Sequence, residues 1–101
     1  MDELEMLIEY MWEELHDCEK YTKEAMRYKD EKPHMAEAFE QSAREEYSHF
    51  ERMHTLGVKC LNSHRDKDGN IPEMMHIIWE WEMDKVLKKA MHVKSALGML
   101  R

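Results

Sequence analysis

The chain has 101 residues and a formal net charge of −7, with 37% of its residues charged and 43% hydrophobic. That length makes about one domain, and the acidic balance disfavours a nucleic-acid partner, whose phosphates are neutralised by Lys and Arg. With Gly 3 and Pro 2 there are few places to turn, so the elements must be few and long.

The first element carries Leu4, Leu7, Ile8, Met11, Leu15, Cys18, Tyr21, Ala25 and Tyr28 in steps of three and four, which mark one helical face. It runs out in Tyr28-Lys29-Asp30-Glu31-Lys32, where Pro33 forces a break. A second such stripe, Ala36, Phe39, Ala43, Tyr47, Phe50, Met53 and Leu56, fades between Cys60 and His64. Asp66-Lys67-Asp68-Gly69-Asn70 is a polar turn, and Pro72 stands where it would open a third helix. That helix sets Ile71, Met75, Ile78, Val86, Val93, Leu97 and Leu100 on one side. Glu73, His76, Glu80, Asp84, Lys88, His92 and Ser95 form its polar stripe. The reading is a single all-α domain over 1–101. Three long antiparallel helices are expected near 2–30, 34–63 and 72–99, each roughly 40 Å long at 1.5 Å per residue. Short loops give an up-down-up bundle.

Two carboxylates interrupt the apolar stripes. Glu14 sits between Met11 and Leu15 where a core residue is expected, and Glu46 sits between Ala43 and Phe50. His49 follows Glu46 at i+3, so a helix presents both to the same point. If the hairpin turns near residues 30–32, position 14 lies level with 46–50 on the antiparallel partner, and Glu14, Glu46 and His49 converge. Ionised carboxylates inside a bundle are costly unless paired or bound to a metal. Carboxylate and imidazole together suit iron, manganese or zinc better than copper(I). Water, Lys or Arg partners are the alternative.

Glu13-Glu14-Leu15, Glu19-Lys20-Tyr21 and the second-helix pair Glu46-x-x-His49 resemble the ferritin-like superfamily, with rubrerythrin-type bundles and the short encapsulated ferritins nearest in pattern. The resemblance covers roughly residues 4–56. Ferritin-like di-iron sites use one Glu from each of two helices and a Glu-x-x-His from each of two others. By this resemblance Glu14 is the first-helix ligand, Glu46 the bridging carboxylate and His49 the terminal ligand. The third helix has no Glu-x-x-His, so the resemblance implies that a second chain supplies the other half, as in the short encapsulated ferritins. It further implies a homodimer or higher homo-oligomer that binds iron (Fe2+/Fe3+) and oxidises Fe(II) with dioxygen or peroxide. The competing function is a metal-free helical interaction module that works through an exposed Trp/Met surface.

Glu82 lies on the core side of the third helix, about one turn from the level of His49, and is either a further ligand or a boundary residue with a basic partner. Tyr21 and Tyr47 either orient ligands and quench radicals or pack in the core with hydroxyls at its rim. Cys18 and Cys60 show no CxxC spacing, fall too far apart along a hairpin to bridge, and read as small core residues. The 66–70 turn starts like a calcium loop, but Ile71 and Ile77 occupy the positions that need Gly and a bidentate Glu. Trp79 and Trp81 point to different sides of one helix, so one of them is left for a chain–chain contact. No apolar run approaches the ~20 residues of a membrane span. The acidic start Met1-Asp2-Glu3 does not read as a secretory signal, which makes cytoplasm the expected compartment.

Overall fold

The computed structural model describes residues 2–100 of the chain. Its three helices are α1 (Asp2–Tyr28), α2 (Pro33–Ser63) and α3 (Glu73–Gly98), and no strand is formed among the described residues. Each boundary follows from local chemistry. Asp2, Glu3 and Glu5 occupy the first turn of α1 and Arg27 its last, which matches the helix dipole at both ends. Pro33 stands in the first turn of α2, where its missing amide proton leaves no helical bond unmade. Between α2 and α3, Asp66 Oδ1 accepts the amides of Asp68 and Asn70, both at 2.9 Å. Gly69 takes φ +84 there, a conformation that side chains disfavour. The segment is a self-bonded polar turn.

The helices pack into a rod of 58 × 19 × 17 Å with a radius of gyration of 16.4 Å. A compact domain of this length has about 13 Å, so an unusual share of helix surface stays outside. Most of the packing joins α1 to α2, and α3 leans on that hairpin chiefly through α1. The larger buried cluster unites Leu4, Met11 and Leu15 with Phe50, Leu61 and Val86. A smaller one gathers Cys18, Ala43, Val93 and Leu97. Fully burying one such Leu or Val side chain stabilises by about 1.5–3 kcal/mol.

The expected stripes hold in outline, and Met83 and Ala90 join the buried face of α3. Thr22 joins the buried face of α1 because its hydroxyl donates to the Cys18 carbonyl at 2.7 Å, which removes the penalty of burying it. Leu56 is 41% exposed, and Gly57 takes its expected place in the core. Trp79 explains the exchange. A Cβ on Gly57 would stand 2.7 Å from the indole and 3.0 Å from Met11 Cε, so only glycine lets Trp79 seat against α2. Trp81 points away and is 68% exposed. Cys18 and Cys60 are free and buried, and burial pushes the Cys18 thiol up to about 11. No helix among the described residues is long and apolar enough to cross a membrane.

Candidate metal centre

Glu14 is carried by α1 and Glu46 and His49 by α2, at the level where the two buried clusters meet. The hairpin brings one ligand atom from each residue within 4.8 Å of the others. His49 Nδ1 stands 3.4 Å from Glu14 Oε2 and 3.9 Å from Glu46 Oε1. Oxygen and nitrogen ligands bound at about 2.1 Å around one ion stand roughly 3–4 Å apart, so the group needs only a small contraction to share a cation. Both carboxylates are 21% exposed and the imidazole 43%.

Glu14 Oε2 is a buried oxygen with no hydrogen-bond partner. The His49 ring lies close to it without the alignment of a hydrogen bond. A buried acceptor left bare costs about 1–3 kcal/mol, and more when it is charged. The neighbouring carboxylate adds to this. Contact with Glu14, and then burial, pushes the Glu46 carboxyl up from 4.5 to about 7, with Asp17 and Glu45 adding negative charge around it. Two facing carboxylates need a shared proton or a cation between them, and a metal ion satisfies both as well as the imidazole.

The group opens on the side of the hairpin away from α3. Trp12 and Glu19 of α1 and Arg44 of α2 reach the third helix. At 100° per residue Glu14 is turned about 160° from Trp12. Tyr10 lies about one turn from Glu14 along α1, and Met6 and Leu56 about two turns from Glu14 and His49 on their helices; all three are exposed. Asp17 of α1 escaped the sequence reading as a neighbour of Glu46, because its influence crosses between helices and leaves no periodic signal; Glu45 precedes Glu46 on α2 itself.

Glu82 is engaged elsewhere. Trp12 Nε1 donates to Glu82 Oε2 at 3.3 Å and Lys85 Nζ stands 3.8 Å from Glu82 Oε1. That carboxylate therefore fastens α3 to α1 and lies outside the three-residue group. Glu19 is also a tether, with Lys89 Nζ donating to it at 2.7 Å. That bond holds the Glu19 carboxyl below its usual range. Tyr47 packs against Phe50 with ring centroids 5.5 Å apart, and Tyr21 stacks on Phe39 at 6.2 Å. Both tyrosines are half-buried parts of the packing. No protein-family model, curated protein or solved structure matches this chain.

Proposed function

We propose that Glu14, Glu46 and His49 bind a divalent metal ion, iron by the ferritin-like resemblance, with manganese and zinc compatible with the same donors. The observation that carries this reading is the bare, buried Glu14 Oε2 beside a second carboxylate and an imidazole. Two carboxylates and one imidazole are too few for two metals, so the di-metal reading joins two hairpins about a two-fold axis. The exposed Met6, Tyr10 and Leu56, one to two turns along the hairpin from the group, support an isologous contact on that face.

In this reading Glu14 and Glu46 would hold the cation in a partly dry site, Glu46 in the role that the ferritin-like resemblance gives the shared carboxylate. His49 completes the set from one turn along α2. Iron held there would supply one-electron chemistry for the oxidation of substrate Fe(II) by dioxygen or peroxide. The anionic oxygens favour the higher charge of the oxidised ion.

The test is iron loading of the wild type and of Glu46→Ala and His49→Ala, with circular dichroism on the same samples. Bound iron is expected to fall at least tenfold in both variants while helix content holds. Light scattering should give a dimeric mass or a multiple of it, and X-ray absorption a metal–metal separation of about 3.5–4 Å. Iron binding unchanged in both variants refutes the assignment. A protein that binds no metal at all passes to the interaction-module reading, which Trp81, Met74 and Met91 on the outside of α3 favour.

A further inference from the structure

The outer face of α3 carries a feature that the metal reading does not use. Met74, Ile77 and Trp81 are exposed at 63%, 50% and 68%, and steps of three and four place them along one stripe. Charge is sorted around them. From Glu73 to Asp84 the helix carries acids and no Lys or Arg, and from Lys85 to Lys94 it carries lysines and no acid. The helix dipole acts only in the terminal turns, so it does not account for a change of sign between Asp84 and Lys85 in mid-helix.

Beyond Trp81 the line of the stripe is continued by Asp84 and Lys88, an ion pair at 3.3 Å within the helix, so the apolar part of this face is Met74, Ile77 and Trp81. At 100° per residue Glu80 flanks Ile77 and Trp81 on one edge, and Lys85 flanks them on the other. Lys85 Nζ already lies over the Trp81 ring at 4.9 Å, and Glu80 and Lys85 both line the open groove of about 500 Å³ beside that indole. In two parallel helices packed on such a stripe, an acid on one edge meets the base five residues later on the other helix. Glu80 and Lys85 have that spacing.

We propose that this face of α3 packs in parallel against the same face of a second copy of the chain, with Trp81 at the centre and Glu80 of each copy against Lys85 of the other. The patch is complementary to itself, as a two-fold contact requires. The contact is independent of the metal group, which opens on the other side of the bundle. Where both contacts form, each chain has two different self-complementary faces and the assembly grows past two chains.

Charge exchange tests this on the metal-free, full-length chain by sedimentation velocity. Glu80→Lys and Lys85→Glu each set like charges across the contact and are expected to halve the mass or lower it further. The double variant, and an equimolar mixture of the two single variants, should both recover the wild-type mass. Trp81→Ala should lower the mass without recovery by either exchange. Ile77→Cys should oxidise to a covalent dimer, because parallel packing sets the two copies of position 77 level. Single variants with the wild-type mass, or losses that neither the double variant nor the mixture restores, would overturn the proposal. So would a wild type that sediments as a monomer at hundreds of micromolar. Charge recovery with no Ile77 cross-link would overturn the parallel arrangement.

Discussion

Replacing Glu46 by Gln removes a charge and keeps the shape, so its effect isolates the electrostatic conflict at the candidate site. The Glu46 carboxyl is pushed up to about 7 by Glu14 and by burial. A carboxyl raised in the folded state binds more protons there than in the unfolded chain. Stability is therefore present at and below the unfolded value, near 4.5, and is lost as pH rises through about 7. Undiscounted, that displacement corresponds to about 3 kcal/mol at 1.36 kcal/mol per unit. Both carboxylates are 21% exposed, so solvent screening reduces it to about 1–2 kcal/mol. Glu46→Gln should then stabilise the metal-free protein by about 1–2 kcal/mol at pH 8 and by almost nothing at pH 4.5. For a chain of this length that is a rise in Tm of roughly 4–15 °C at pH 8. Denaturation of both proteins across pH 4.5–8 with chelator present gives the difference directly, and background titrations cancel in it. Divalent metal at a hundredfold excess over its Kd should reverse the order, since it stabilises only the wild type, by about 2.7 kcal/mol. A difference that does not change with pH would refute the reasoning, because Glu46 would then be an ordinary surface carboxylate.

Two further outcomes test how α3 is attached. Gly57→Ala drives a methyl into the Trp79 ring at 2.7 Å. Overpacking costs about 1–3 kcal/mol and helix propensity returns up to about 1, so Tm should fall, and a rise on calorimetry would show that the indole moves freely. Lys89→Met removes the donor that holds the Glu19 carboxyl low. A depressed carboxyl contributes stability above its unfolded value and loses it as pH falls through the folded value. The variant should be about 1 kcal/mol less stable than wild type at pH 7, with the gap closing in urea titrations as the pH falls below the ordinary carboxylate range. A gap that persists in acid would count against the ion pair as the tether.

The stripes of α1 and α2 were legible in the sequence because helical periodicity is a local property, and Pro33 fixes where one ends and the other begins. Those same stripes made Glu14 and Glu46 stand out as charges in apolar positions. A short turn leaves two antiparallel helices almost no freedom of level, so counting outward from it placed Glu14 beside Glu46 and His49. The loop over 64–72 gives α3 more freedom, and periodicity says which face of a helix is apolar without saying where along its neighbours that face will settle. Packing decided that. Trp79 found the one position on α2 without a Cβ, which turned Leu56 outward and put Gly57 in the core. Trp12 took Glu82, and Lys89 took Glu19, across sequence separations that carry no pattern. The bare oxygen of Glu14 belongs to the same class of fact, because whether a buried acceptor finds a donor depends on the exact approach of two helices. Sequence determined which residues could meet within each helix and across the tight hairpin. Only the tertiary structure decided which of them were left without a partner, because a donor meets an acceptor only when their separation is right to within a few tenths of an ångström.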